Sequence, residues 1–387
     1  MSLNAPQRAA VRYLDGPLLV LAGAGSGKTR LITHKIAHLI KECGITPHHI
    51  AAVTFTNKAA REMQARVAAL SGGKKAEGLR VSTFHSLGLN ILRRETAALG
   101  YRPGFSILDA DDGAGLIRDL LRKEFDDDSR VSAVHRQISA WKNAMVDAEQ
   151  AYTFAGGDAV QVLAAGLYSQ YQRHLKAYNA VDFDDLILLP VLLFKNHPEI
   201  LDAWQNRIRY LLVDEYQDTN TAQYHLVRAL TGPRGALTAV GDDDQSIYAW
   251  RGAQPENLGL LQQDFPNLKV IKLEQNYRSA GRILKAANHL IANNSHVFEK
   301  SLWCELGYGD PIRVIETRGD EHEAEAVVSE ILSHKFKHRT DFRDYAILYR
   351  GNHQAKPFEK SLSEQRIPYY LSGGTSFFSH AEVKDLM

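Results

Sequence analysis

The most explicit chemistry in this sequence lies between Ala22 and Arg30, in the run Ala-Gly-Ala-Gly-Ser-Gly-Lys-Thr-Arg. Small residues let backbone N–H groups close around phosphate oxygens, and a helix that follows such a loop points its positive dipole end at them. An apolar run, Leu18 to Leu21, enters the loop; Leu31, Ile32, Ile36, Leu39 and Ile40 leave it at helical spacing. Ala22, Gly23, Ala24, Gly25, Ser26 and Gly27 therefore read as a phosphate-binding loop. Lys28 is placed to reach the β/γ-phosphates, the Thr29 hydroxyl to ligate Mg²⁺, and Arg30 to complete the nucleotide-binding stretch. The first Gly of the pattern G-x-x-x-x-G-K-[ST] is Ala22 here. The competing reading is a Gly-rich turn between a strand and a helix, without a ligand.

A second group of residues sits at the ends of other apolar runs. Tyr210 to Val213 ends in Asp214-Glu215. A carboxylate there would hold Mg²⁺, and Glu215 would polarise an attacking water as general base. Gly241-Asp242-Asp243-Asp244-Gln245 follows another run. Gln245 is suited to contact both the γ-phosphate and that water. The three Asp residues read as loop carboxylates that face solvent or accept hydrogen bonds, with a second metal site as the alternative. Glu274-Gln275-Asn276-Tyr277-Arg278-Ser279 follows a third run. Arg278 could reach a γ-phosphate as an arginine finger and Tyr277 could stack on the adenine, with an interdomain hinge carrying a structural Arg as the alternative.

Aromatic and basic residues occur beside these groups. Tyr248, Trp250 and Arg251 lie just beyond Gln245, and stacking aromatics with a cation suit single-stranded nucleic acid; Tyr and Trp at such spacing are more often core residues, and the position beside Gln245 is what favours binding. Phe55, Thr56 and Asn57 follow one strand-like run, and Phe84 and His85 follow the next. Hydroxyls and amides suit phosphate contacts, and Phe suits stacking. His34 and His38 share a helix face without a third ligand in view, so they are not read as a metal site.

These residues need strands and helices to hold them. Short runs rich in Val, Leu and Ile cover 17–22, 50–55, 79–83, 210–214, 237–241 and 269–273 and alternate with helical patterns. That predicts an α/β fold with a mostly parallel sheet, with ligands at the carboxyl ends of its strands. From about 85 to 195 only Phe105 to Leu108 resembles a strand. Leu116, Ile117, Leu120, Leu121, Val134, Ile138, Trp141 and Leu175 recur at helical intervals, which predicts a helical insertion. A second α/β unit is expected after Leu273, with strands at 311–316, 344–350 and 368–372 and a helix from Glu321 to Ile331.

The 387 residues exceed what one hydrophobic core usually spans, roughly 250–300 residues. With 44% hydrophobic and 24% charged residues, the composition is that of a soluble globular protein. No apolar run is long enough to span a membrane, and the N-terminus lacks an apolar signal core, so the cytoplasm is expected. Two cysteines, Cys43 and Cys304, exclude a disulfide framework and a Cys-based zinc site. A formal net charge of +1 neither supports nor excludes a nucleic-acid partner.

The motif set resembles the superfamily 1 DNA helicases of the UvrD/PcrA/Rep family, its Rep branch most closely. Leu3-Asn4 with Gln7, Ala22 to Thr29, Val53 to Met63, Val81 to Gly88, Leu211 to Asn220, Val240 to Gly252 and Leu273 to Ser279 carry the resemblance. The blocks Tyr345 to Asn352 and Ser372 to Phe378 extend it. Ala22 is usual in that family. The resemblance implies a RecA-like P-loop NTPase that uses ATP and Mg²⁺ to translocate 3′-to-5′ on single-stranded DNA and to unwind forked or 3′-tailed duplex, in replication restart or fork progression. It implies that Gln7 reads the adenine edge and that Tyr277 stacks on the ring. Arg278 and Gln245 would contact the γ-phosphate; Phe55, Tyr248, Trp250 and Phe183 would handle bases. It further implies a RecA-like domain 1A at 1–84 and 196–276, a helical insertion 1B at 85–195, the N-terminal part of domain 2A at 277–373 and the start of 2B at 374–387. The family's last motifs have no counterpart after Phe378, so an N-terminal fragment is expected. Replisome proteins are candidate partners through the C-terminal region. As an isolated piece, the chain would alternatively be an ATP-binding, single-stranded-DNA-binding module without unwinding activity.

Overall fold

A computed structural model describes residues 3–122, 130–249, 252–294 and 298–372. The chain divides between Asp310 and Pro311 into two compact units. In the first, eight strands are described: β1 (Leu18–Ala22), β2 (Ile50–Thr54), β3 (Arg80–Thr83), β4 (Ser106–Leu108), β5 (Ala180–Asp182), β6 (Tyr210–Val213), β7 (Leu237–Gly241) and β8 (Lys269–Leu273). Six of them form one parallel sheet in the order β3-β2-β6-β7-β1-β8. The expected apolar runs are these strands.

Helices cover both faces of the sheet. Those of the first unit are α1 (Ala5–Arg12), α2 (Lys28–Lys41), α3 (Asn57–Ser71), α4 (Phe84–Arg94), α5 (Ala110–Arg122), α6 (Val131–Asn143), α7 (Ala148–Phe154), α8 (Ala159–Ala177), α9 (Asp185–Asn196), α10 (Pro198–Arg207), α11 (Thr221–Thr231), α12 (Asn257–Asp264) and α13 (Gly281–Ile291). Alternation along each strand sends side chains to opposite faces. Leu19, Leu21, Val53, Leu211 and Val213 pack with Phe84, Ile187, Trp204 and Leu226. Leu18, Val20, Ala52 and Leu212 pack with Leu31, Ile36, Met63 and Val67 on the other side. A strand buried on both faces must be apolar at every position, which is why these runs do not alternate with polar residues.

The stretch between β3 and β6 is mainly helical. The residues at helical spacing there, from Leu116 to Leu175, form a separate core with Tyr168 and Tyr171. It also contains a short parallel pair, β4 with β5. β5 has too few residues for any periodicity to mark it. Beneath it lies a buried ion cluster, in which Lys142 of α6 donates to Asp182 at 2.6 Å and to Asp185 at 2.9 Å.

The second unit contains α14 (Asp320–His338) and α15 (Ala355–Glu364), packed around Val328, Leu362 and Ile367. The strands expected at 311–316, 344–350 and 368–372 are not formed: no sheet ladder is made there among the described residues. Burial explains the difference. A parallel strand needs cover on both faces, whereas Val314 and Leu348 are 94% and 92% exposed. The expected 2B start at 374–387 and the acidic run Asp126 to Asp128 lie outside the described residues. Both cysteines are free thiols, and no described helix is long and apolar enough to cross a membrane.

Candidate functional site

The parallel sheet brings the predicted residues to one edge. Ala22 ends β1 and Gly23 to Lys28 follow it, Thr56 and Asn57 follow β2, and Phe84 and His85 follow β3. Asp214 and Glu215 follow β6, Gln245 follows β7, and Tyr277 and Arg278 follow β8. Because all six strands run the same way, every one of these turns lies at the carboxyl edge, where open α/β sheets bind ligands.

The phosphate loop has the backbone its sequence requires. Gly25 and Gly27 have φ of +68° and +91°, the left-handed region that a Cβ disfavours. Space is short as well: a Cβ on Gly25 would meet Asn276 Nδ2 at 2.6 Å, and one on Gly23 would meet Leu302 Cδ2 at 2.2 Å. Ala22 is different. It is the last residue of β1, and its methyl group is buried in the sheet core, so the departure from Gly costs nothing there. The Ser26 hydroxyl donates to Gly23 O at 2.7 Å and closes the turn. Lys28 and Thr29 open α2, with Thr29 and Arg30 half-buried.

Around Lys28 the carboxylates and amides form one network. Lys28 Nζ donates to Glu215 Oε2 at 2.7 Å and to Gln245 Oε1 at 3.2 Å. Gln217 Nε2 donates to the same Glu215 oxygen at 3.0 Å, while its Oε1 accepts from the Asp242 backbone at 2.9 Å. Gln245 Nε2 donates in turn to Asp242. Glu215 itself has φ of +50°. For a non-glycine residue that conformation costs roughly 1–2 kcal/mol, a local strain that concentrates at functional turns.

Asp214 is buried, and burial pushes its carboxyl up to about 7; the neighbouring Glu215 adds to the rise and Lys28 opposes it. Its Oδ1 accepts from the Glu215 backbone at 3.0 Å. A buried carboxylate beside a second one that pairs with the Lys28 ammonium suits a divalent cation. Together with the glycine-lined loop and Lys28, the donor set fits a magnesium-bound nucleoside triphosphate.

The other end of the site is built from α1 and the turn after β8. Asn4 caps α1 reciprocally with Gln7. Gln7 is buried, and its Nε2 donates to Ser26 O at 2.9 Å. Asn4 Nδ2 donates to the Tyr277 hydroxyl at 2.8 Å, and that hydroxyl donates to Gln275 at 2.8 Å. Lys35 of α2 anchors the far end of α1 by donating to Ala10 O at 2.9 Å and to Tyr13 O at 2.5 Å. Asn276 ties this turn to the phosphate loop. Its Nδ2 donates to Ala24 O at 2.6 Å, and its Oδ1 accepts from the backbones of Arg278 and Ser279, each at 2.7 Å. The Arg278 side chain is exposed.

The second group gathers at the β2/β3 end. Phe55, Thr56, Asn57, His85 and Phe183 line an open groove of about 400 Å³. The His85 ring meets Phe183 edge-on, with centroids 6.0 Å apart. Thr56 caps α3 through Ala59 N at 3.1 Å. Phe84 does not join them at the surface: it is 2% exposed, in the core beneath Phe55. Residues that open a helix beneath a sheet edge are drawn inward by its apolar face. Tyr248 is half-buried on the segment that leaves Gln245, and Trp250 and Arg251 lie outside the described residues.

Reasoning from residue types missed Gln217, Asn276 and Lys300. Gln217 and Asn276 stand within predicted motifs, and their short amides were the signal. Lys300, which pairs with Asp242, Asp243 and Asp244, has none. Among the described residues those carboxylates are the one cluster with metal-ligating spacing; an ammonium sits in it. His34 and His38 have no third ligand there.

Comparison with known proteins identifies the family. Residues 3–266 match the UvrD/REP helicase N-terminal domain, and residues 271–387 match the UvrD-like helicase C-terminal domain. The whole chain is 59% identical to the ATP-dependent DNA helicase Rep of Escherichia coli K12, over 58% of that protein. It is 48% identical to that of Buchnera aphidicola from Acyrthosiphon pisum, over 60% of its length. It is 43% identical to the ATP-dependent DNA helicase PcrA of Staphylococcus aureus Mu50, over 53%. The chain thus spans a little over half the length of these relatives. A RecA-like sheet with its phosphate loop, two family domains matched in order and identity along the entire chain leave one assignment: this chain belongs to the UvrD/REP helicase family.

Proposed function

We propose that the chain is the motor portion of an ATP-dependent DNA helicase that translocates 3′-to-5′ on single-stranded DNA and opens forked or 3′-tailed duplex. One observation carries the reading. Gln245 accepts from Lys28 of the phosphate loop at 3.2 Å, and the loop that holds it continues into Tyr248 and Ala249 and on to Trp250 and Arg251 in sequence. A contact that senses the nucleotide is thereby continuous with a base-stacking segment.

In this reading Gln7 and Tyr277 hold the adenine, and Lys28 and Arg278 meet the phosphates. Thr29 and Asp214 would hold Mg²⁺, which supplies charge neutralisation for phosphoryl transfer. Lys28 exchanges Glu215 for a phosphate oxygen. Glu215 is thereby released to accept a proton from water, and Gln245 orients that water. Phe55, Thr56, Asn57, His85 and Phe183 grip DNA along the groove, with Phe84 as their support. Residues 1–84 with 196–276, 85–195, 277–373 and 374–387 correspond to the family's 1A, 1B, 2A and 2B. Cytoplasmic work in replication restart or fork progression, with replisome partners through the C-terminal region, completes this reading; it rests on the family resemblance.

Because the chain spans 58% of its Escherichia coli relative, a second reading is an ATP-dependent single-stranded DNA-binding module that does not separate strands. A strand-displacement assay on a 3′-tailed duplex distinguishes the two. Unwinding that Lys28→Ala abolishes supports the helicase reading. ATP-dependent binding without displacement supports the module. DNA-independent ATPase with no DNA affinity would rule out both.

A further inference from the structure

Asp242, Asp243 and Asp244 follow one another after β7, and one carboxylate oxygen from each lies within 4.8 Å of the others. On spacing alone such a loop would attract a divalent cation. Lys300, on the segment after α13, takes that place. Its ammonium lies 2.7 Å from Asp242 and 2.9 Å from Asp244, and it also pairs with Asp243. The Lys300 side chain is 2% exposed. Burial opposes the charge, but hydrogen bonds to Asp242, Asp243 and Asp244 outweigh it and hold the amine protonated well above the usual lysine range.

Asp242 uses both of its oxygens. Oδ1 accepts from Lys300, and Oδ2 accepts from Gln245 Nε2. An amide with its NH₂ group on a carboxylate must turn its oxygen the other way, and Gln245 Oε1 faces Lys28 at 3.2 Å. The order of contacts is therefore Lys300, Asp242, Gln245, Lys28. With the ammonium removed, three carboxylates remain in close contact. Their repulsion would draw in a divalent cation from solvent, and that cation's demand for the Asp242 oxygens would take Oδ2 from Gln245 Nε2.

We propose that Lys300 is a positioning residue for the nucleotide site: its ammonium is the resident cation of the Asp242–Asp244 loop, and through Asp242 it sets which way the Gln245 amide faces. The second half rests on the reading of Gln245 as a nucleotide contact; the first does not.

The test uses this chain as wild type, Lys300→Met, Lys300→Arg and Lys300→Met with Asp243→Asn. Titration of nucleotide-free protein with Mn²⁺, followed by electron paramagnetic resonance, should reveal one additional site in Lys300→Met. That site should weaken at least about tenfold in the double variant, which has lost one anionic ligand. DNA-stimulated ATPase of Lys300→Met should fall about tenfold in kcat with KM within about threefold, while Lys300→Arg stays near wild type. A merely structural role would create no Mn²⁺ site and would not separate kcat from KM. A folded Lys300→Met that gains no site, or that keeps wild-type kcat, overturns the proposal. Should Lys300→Met fail to fold, Lys300→Met with Asp244→Asn relieves one like charge and is judged by the same loss of kcat against Asp244→Asn alone. A wild-type chain without ATPase would count against the helicase reading, and Mn²⁺ binding would then decide by itself whether the Lys300 ammonium is the resident cation of the loop.

Discussion

Lys28 and Glu215 are paired at 2.7 Å across the nucleotide site. The cation proposed to meet phosphate is held by the carboxylate proposed to activate water, so in this pair each masks the other. The pair sits at the rim of the site, with the Glu215 side chain 35% exposed. Solvent screening keeps such a pair to about 0–1 kcal/mol.

That magnitude sets the first expectation. Glu215→Gln frees Lys28 without leaving a buried charge, so nucleotide affinity should rise by no more than about fivefold. Turnover should fall much further, by about 10²–10⁴-fold, because the general base is gone. Equilibrium binding of a fluorescent ATP analogue and steady-state ATPase on the same variant measure the two effects. A parallel loss of affinity and rate would contradict the exchange of partners by Lys28.

Asp214 makes the site sensitive to pH. Burial raises its carboxyl to about 7 in the folded chain. For a raised carboxyl the protonated form is favoured in the fold, so the ionised form costs stability progressively as pH rises toward that value, and the cost is constant above it. A divalent cation needs the carboxylate and must displace the proton below the folded pKa. Affinity for a magnesium-bound ATP analogue should therefore fall about tenfold between about pH 8 and pH 6, with proton release on binding at the lower pH. Calorimetry in two buffers of different ionisation enthalpy measures both quantities. Asp214→Asn should abolish the slope, and a slope that survives in that variant would assign the proton elsewhere.

The main sheet was legible in the sequence because a parallel strand with both faces buried is a continuous apolar run, and Leu18 to Ala22 or Leu237 to Gly241 resemble nothing else. The turns were legible because phosphate chemistry demands particular residues, as at Gly25, Lys28 and Asp214. Contacts between distant segments were not. No local pattern tells that Asn276 reaches Ala24, or that Lys300 reaches Asp242, since each side chain is ordinary until the fold brings its partner near. The strands expected in the second unit failed for a related reason. Ile312 and Val314 have strand-like residue types, but residue type does not supply the cover that a strand needs.

Lys142 offers a test of a different kind, on stability. Its side chain is fully buried between Asp182 and Asp185, and Tyr171 donates to Asp182 at 3.1 Å. Lys142→Ala leaves two carboxylates in the core without their cation, which costs about 3–5 kcal/mol. The melting temperature should drop by roughly 6–20 °C on the scaling for domains of this size. Adding Asp182→Asn and Asp185→Asn should recover part of the loss, because the uncompensated charge is then removed. No recovery in calorimetry would mean that packing of the lysine stem, rather than charge, holds α6 to α9.

Phe183 and Phe84 separate grip from support in the proposed DNA groove. Phe183 is 50% exposed, edge-on to His85 at the lip of the groove, whereas Phe84 is buried under Phe55. Stacking on a base is worth about 1–3 kcal/mol, so Phe183→Ala should weaken single-stranded DNA binding by about 5–150-fold with little change in melting temperature. Phe183→Trp should restore binding, since any flat ring suffices. Phe84→Leu should do the reverse, lowering stability by about 1–1.5 kcal/mol through imperfect repacking while DNA affinity stays within about threefold. Fluorescence anisotropy with a labelled oligonucleotide and thermal melts on the same variants give both readouts. Equal losses of affinity in Phe183→Ala and Phe84→Leu would mean that the groove acts only through the integrity of its core.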